Sequence, residues 1–96
     1  MERLSRFDVV EANGIAMVVV ESELLPPDPA VVVVPLLENY PAVTTLNPVI
    51  PYRGLSLVLA TRLITPVSRA AVRRTGRVEE HSERITRALD VLLTGI

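Results

Sequence analysis

The sequence contains no cysteine and a single histidine, His81, and both shortages exclude kinds of chemistry. Without cysteine the chain can form no disulfide, no thiolate zinc site and no cysteine nucleophile. A lone histidine has none of the partners that metal binding or acid–base catalysis normally uses. We therefore expect no catalytic residue, no metal site and no cofactor, and a reducing compartment.

Glycine, aromatic residues and positive charge are also too scarce for several binding functions. The four glycines form neither a Gly-x-Gly-x-x-Gly pattern nor a phosphate loop. Phe7, Tyr40 and Tyr52 are too scattered to stack on bases, and a formal net charge of −1 does not attract phosphate backbones. No apolar run approaches the roughly 18 residues of a membrane span. We expect a cytoplasmic protein that binds neither nucleic acid nor membranes by itself.

Hydrophobic residues make up 49% of the 96 residues, and many of them fall in short β-type segments. Segments 7–10 and 15–20 flank Asn13-Gly14, which favours a tight hairpin. The valine run 31–34 is typical of a central strand buried on both faces. A single domain, residues 1–96, would struggle to bury so much apolar surface alone, which favours a homodimer.

The second half of the chain is predicted to end in a helix. The sequence indicates a strand over residues 55–59, extended over 61–67 with a break at Pro66, after a proline-rich loop and edge segment over 38–51. From Val78 the apolar residues recur every three or four positions, and Gly95 stands where a helix would end. The fold class is therefore mainly β with a C-terminal α-helix.

The arginine-rich segment between residues 68 and 77 is ambiguous. A basic patch there could meet phosphate or an acidic partner. A solvated face neutralised by Glu79, Glu80 and Glu83 is the favoured interpretation, since the chain carries no positive excess.

With these residues in view, the whole chain resembles the CcdB family of toxins. Four of the matching patches, in order, are Val20-Glu21-Ser22-Glu23-Leu24-Leu25, Val32-Val33-Val34-Pro35-Leu36, Leu46-Asn47-Pro48-Val49-Ile50 and the stretch from Ile85 to Gly95-Ile96. They are similar to the family's Ser-Asp-Ile-Ile, Val-Ile-Pro-Leu, Leu-Tyr-Pro-Val-Val and Trp-Gly-Ile segments. The resemblance implies an SH3-like barrel and a symmetric dimer.

The resemblance also implies partners and a site. A CcdB-like toxin binds the DNA gyrase A subunit and traps its cleaved DNA complex, and a CcdA-like antitoxin neutralises the toxin and represses the operon with it. At the matching positions, Thr94 replaces the family's tryptophan and Asp90 replaces an amide. The gyrase-binding residues that the resemblance implies are Ser22, Leu24, Leu25, Asp90, Leu93, Thr94, Gly95 and Ile96.

Three alternatives remain open from the sequence. The related MazF and Kid toxins share the expected fold and cut messenger RNA, for which Arg53 or Arg62 with His81 would be the available residues. An inactive toxin homologue that serves only as an antitoxin-binding dimer is the second alternative. The third is a structural domain that merely dimerises and binds no antitoxin.

Overall fold

Seven antiparallel strands and one C-terminal helix form the fold over residues 3–95, the part of the chain that the computed structural model describes. The sheet has the order β4-β5-β3-β2-β1-β7, and β6 also pairs with β3. The prediction of a mainly β fold with a C-terminal α-helix is confirmed. The bounds are β1 Asp8–Ala12, β2 Ile15–Val19, β3 Ala30–Leu37, β4 Val49–Tyr52, β5 Leu55–Leu59, β6 Thr65–Ser68, β7 Arg73–Arg77 and α1 Ser82–Thr94.

The predicted hairpin and central strand are both present. Asn13 and Gly14 have positive φ angles of 54° and 77°, as a two-residue turn between β1 and β2 requires. Strand β3 is buried on both faces and contributes to two apolar clusters. The cluster on one face contains Val10, Met17, Val19, Val31 and Val33. The cluster on the other face includes Val34 and Leu36 and is covered by the helix residues Ile85, Ala88 and Leu89.

Strand β3 continues through Pro35, beyond the predicted range 31–34. The Pro35 carbonyl accepts a hydrogen bond from the Ala60 amide at 2.9 Å. A strand residue directs its nitrogen and carbonyl to the same side, so the proline nitrogen also faces this neighbour. On that side, the segment after β5 leaves the sheet and forms a 3-10 turn, Thr61–Leu63. The missing N–H of Pro35 therefore costs no ladder bond.

The predicted break at Pro66 is wrong, because the extended chain breaks earlier, at the turn Thr61–Leu63, and Pro66 lies within β6. Pro66 is opposite Val32, whose carbonyl bonds the Val20 amide on the other side of β3 at 3.1 Å. The Val32 carbonyl therefore needs no hydrogen bond from Pro66, and an edge strand tolerates a proline in that register.

The arginine-rich segment forms a 3-10 turn, Arg69–Ala71, followed by β7. Arg77 pairs with buried Asp8 at 2.5 Å and with Glu79 at 2.9 Å. Arg69 pairs with Glu21, and Arg73 lies 4.0 Å from Glu11. The prediction that nearby glutamates neutralise these arginines is right for Glu79. The other acidic partners, Asp8, Glu11 and Glu21, are remote from the arginines in sequence.

The sheet curls until its two end strands approach, giving a half-barrel that confirms the expected barrel-like fold. The Tyr52 hydroxyl on β4 lies 3.0 Å from the Thr75 hydroxyl on β7, and the Arg53 guanidinium donates to the Thr75 carbonyl. These contacts join strands at opposite ends of the sheet order.

The helix begins at Ser82, four residues later than predicted, because a 3-10 turn, Glu79–His81, precedes it. Its C-terminus follows the prediction: Gly95 has a φ of 77°, and its amide bonds the Val91 carbonyl at 2.9 Å. Within residues 3–95, no helix has the length and apolar character needed to span a membrane.

Candidate functional site

The first group of predicted site residues lies in the loop between β2 and β3. The Leu24 amide donates to the Ser22 hydroxyl at 3.1 Å, and the Leu25 amide donates to the Ser22 carbonyl at 3.2 Å. This turn directs both leucines outward, with Leu24 94% exposed and Leu25 55% exposed. Two adjacent exposed leucines give this loop an apolar surface of the kind that partner-binding sites use.

The base of this loop is held by polar contacts. The Glu21 carboxylate accepts a hydrogen bond from the Val32 amide at 2.8 Å and forms an ion pair with Arg69 at 3.5 Å. Arg69 also donates from Nε to the Asp28 carbonyl at 2.6 Å. Arg69 therefore links the start of the loop to its end.

A hollow of about 560 Å³ opens beside the loop. Ser22 and Leu25 line it together with Leu4 and Pro27, and the Glu21–Arg69 pair forms part of its wall. Apolar side chains and a partly buried ion pair thus lie beside two of the predicted site residues.

The second group lies at the C-terminal end of the helix. Leu93 is 75% exposed, and Asp90 and Thr94 are exposed beside it. The Thr94 hydroxyl donates to the Asp90 carbonyl at 2.6 Å, so this side chain turns back along the helix. Gly95 ends the helix, and the predicted site residue Ile96 lies outside the described residues.

The two groups line different hollows of this chain. Ser22 and Leu25 line the hollow beside the loop, whereas Asp90 lines another with Arg6, Phe7 and Arg87. The predicted site residues that the structure describes therefore fall into two exposed groups, which we call the loop patch (Ser22, Leu24 and Leu25) and the helix patch (Asp90, Leu93, Thr94 and Gly95).

The sequence model of the family described as "CcdB protein" matches residues 6–95. This chain belongs to the CcdB family. Membership supports a toxin of a toxin–antitoxin system, in a family whose members poison gyrase rather than catalyse a reaction. No individual curated protein matches the chain.

Two of the residues considered for RNA cleavage, Arg53 and His81, lie in different parts of the fold. Arg53 lies over the Tyr52 ring at 5.4 Å and donates to the Thr75 carbonyl, so it supports the closure of the sheet. His81 lies in the 3-10 turn before the helix, where its amide bonds the Val78 carbonyl. Among residues 3–95 no cluster of three or more histidine, aspartate or glutamate side chains could hold a metal ion.

Sequence reasoning about the CcdB-like site missed Glu21, Asp28 and Arg69. Glu21 lies within the matched segment, but nothing in its neighbours indicates that it pairs with an arginine 48 residues later in the chain. Only the pairing of β3 with β6 brings the turn that contains Arg69 to the base of the loop.

Proposed function

We propose that this CcdB-family protein binds the DNA gyrase A subunit, inhibits it, and is neutralised by a CcdA-like antitoxin. The observation that carries the proposal is the exposure of Leu24, Leu25 and Leu93 in a chain that the family model matches over residues 6–95. These leucines occupy the positions at which the family resemblance puts its gyrase contacts.

Apolar contact supplies the binding energy in this proposal. Burying one leucine side chain contributes about 1.5–3 kcal/mol, and the loop and helix patches together present three exposed leucines. A chain with a formal charge of −1 offers no strong electrostatic alternative. We expect the interface to depend on these leucines more than on charge.

Thr94 weakens this interface relative to one with an aromatic residue. Loss of a large aromatic anchor commonly costs more than about 2 kcal/mol of binding. The Thr94 hydroxyl is bonded within its own helix, and Asp90 adds a charge where the family has an amide. We expect this chain to bind gyrase less tightly than a relative with tryptophan.

The other parts of the proposal follow from the same family assignment. The chain acts as a homodimer in the cytoplasm, as one domain, and by binding rather than by catalysis. The antitoxin covers a surface that overlaps the gyrase-binding residues, so it displaces the target. Together the two proteins repress their operon.

The second candidate function is that of an inactive homologue that only binds antitoxin. The substitution at Thr94 favours it, because an antitoxin site that extends over a larger surface loses less than a gyrase site that depends on one anchor.

Induced expression in a gyrase-sensitive bacterium tests the proposal. The wild type is compared with Thr94→Trp, each alone and together with the antitoxin frame expected beside the gene. We expect growth arrest with DNA breaks, stronger in Thr94→Trp and reversed by the antitoxin. A matched control is Arg73→Met, an exposed position away from both patches.

The outcomes separate the candidates. Arrest only in Thr94→Trp indicates a gyrase site that lacks its anchor and supports the inactive homologue. Normal growth on expression of the wild type and of Thr94→Trp overturns the gyrase proposal. Arrest with cleaved RNA and intact DNA would instead indicate a MazF-like nuclease.

A further inference from the structure

One arginine joins both ends of the loop that presents the loop patch. At the start of the loop, Arg69 pairs with the Glu21 carboxylate at 3.5 Å. At its end, Arg69 Nε donates to the Asp28 carbonyl at 2.6 Å, and the Arg69 amide donates to the Pro29 carbonyl at 2.8 Å. The residues between these two points carry Leu24 and Leu25.

The two charged side chains of this link are largely removed from water. The Arg69 side chain is 12% exposed and that of Glu21 is 14% exposed. An ion pair in such a position interacts more strongly than a surface pair, and removal of one partner leaves the other charge partly buried. Glu21 is itself fixed, because its other oxygen accepts from the Val32 amide on β3.

We propose that Arg69 is a positioning residue for gyrase binding, which acts by holding the loop so that its turn presents Leu24 and Leu25. This inference rests on the proposed function. Leu24 is 94% exposed, and two contacts to Ser22 close the turn around it. Its orientation therefore depends on how firmly the loop ends are held.

A loop that is already ordered loses less conformational entropy when it binds. With Arg69 removed, the segment 22–28 samples more conformations, and the partner must order it again. We expect this re-ordering to cost about tenfold in affinity, which corresponds to about 1.4 kcal/mol.

The experiment measures binding of the purified chain to purified gyrase A subunit by calorimetry. We expect Arg69→Met to bind about tenfold more weakly than the wild type. Arg69→Lys keeps the charge for Glu21 but loses the planar fork that also reaches Asp28, so we expect a smaller loss. Arg73→Met is the control, since Arg73 is exposed and lies 4.0 Å from Glu11.

A double-mutant cycle distinguishes positioning from a general loss of stability. In a background with Leu24→Ala and Leu25→Ala, Arg69→Met should have little further effect on binding. In a Leu93→Ala background, the same change should again cost about tenfold. A merely structural role would weaken binding equally in both backgrounds. Hydrogen exchange at the amides of Leu24 and Leu25 should be faster in Arg69→Met than in Arg73→Met.

Wild-type affinity in Arg69→Met, or an equal loss in both backgrounds, overturns the inference. Failure of the wild type to bind gyrase is a different result and refutes the proposed function. In that case hydrogen exchange decides whether Arg69 holds the loop, because unchanged exchange at Leu24 and Leu25 contradicts it.

Discussion

Of the four glycines, Gly76 on β7 has the least room for a side chain. A Cβ atom there would lie 2.5 Å from the Tyr52 hydroxyl oxygen and 3.1–3.2 Å from two ring carbons. The same hydroxyl lies 3.0 Å from Thr75, in the contact that brings β4 and β7 together. Glycine at this position therefore permits the closure of the half-barrel.

We predict that Gly76→Ala lowers the free energy of unfolding by about 1–3 kcal/mol, because the methyl group displaces Tyr52. Urea unfolding measures the change. In a Tyr52→Leu background, which removes the hydroxyl and the ring, the same substitution should cost less. Equal costs in the two backgrounds would show that the close approach to Tyr52 does not matter.

Asp8 is a buried carboxylate whose charge is balanced by arginines of β7. Arg77 lies 2.5 Å from Asp8, and Arg74 lies 3.6 Å from it. The hydrogen bond to Glu79, followed by the interactions with Asp8, raises the pKa of Arg77, while partial burial opposes the rise. A raised arginine pKa stabilises the fold at every pH below the ordinary pKa of the group, so this contribution is lost only in strong alkali.

We predict that Arg77→Met lowers the free energy of unfolding by about 1–3 kcal/mol, since Asp8 keeps its burial but loses its nearest positive partner. The loss should be the same between roughly pH 6 and pH 9, where Arg77 stays charged. Urea unfolding at several pH values measures it. Glu79→Gln is the control, because that side chain is 69% exposed and should matter by less than about 1 kcal/mol.

At the scale of elements, helix α1 has two faces with different roles. Ile85 is fully buried against the sheet, whereas Leu93 is 75% exposed in the helix patch. We predict that Ile85→Ala lowers the free energy of unfolding by about 2–5 kcal/mol, while Leu93→Ala changes it by less than about 0.5 kcal/mol. Urea unfolding compares them. A large stability loss in Leu93→Ala would mean that this side chain serves the fold rather than a partner.

The elements that the sequence predicted best are those with strong local signals. The hairpin at Asn13-Gly14, strand 55–59 and the cap at Gly95 depend on turn chemistry and periodicity, which are local. Strand β7 has no apolar alternation, and two adjacent arginines begin it, because it lies at the end of the sheet. Its position depends on pairing with β1, more than 60 residues earlier, which no local pattern encodes.

The predicted helix start at Val78 and the predicted strand break at Pro66 are wrong for the same reason, because a local pattern does not encode tertiary pairing. Val78 fits the helical apolar period, but its φ and ψ of −129° and 36° are not helical, and a 3-10 turn follows. Proline commonly ends a strand, yet Pro66 lies opposite Val32 in a register where its missing N–H costs no hydrogen bond. In both cases tertiary pairing overrides a local preference.

At the scale of the whole molecule, the apolar surface exceeds what the proposed gyrase contacts use. Beyond the loop and helix patches, five further large hydrophobic residues are exposed among residues 3–95: Ile15, Val43, Val49, Leu55 and Leu63. Val43 and Val49 line one hollow together with Arg84 and Arg87 of the helix. Scattered exposed residues are normal, but a shared apolar surface favours an interface.

We predict that the chain is a homodimer in solution, with a mass twice the 10.5 kDa of one chain, because a second copy can cover apolar surface that so small a domain leaves exposed. Sedimentation equilibrium at micromolar concentration measures the mass. A lysine placed singly at each of the five positions should shift the equilibrium toward monomer only where the residue lies in the interface. Leu24→Lys is the matched control, since the loop patch is reserved for the partner and should not affect self-association. A mass of one chain at every concentration would contradict the dimer. Gyrase would then have to be bound by the exposed leucines of a single chain.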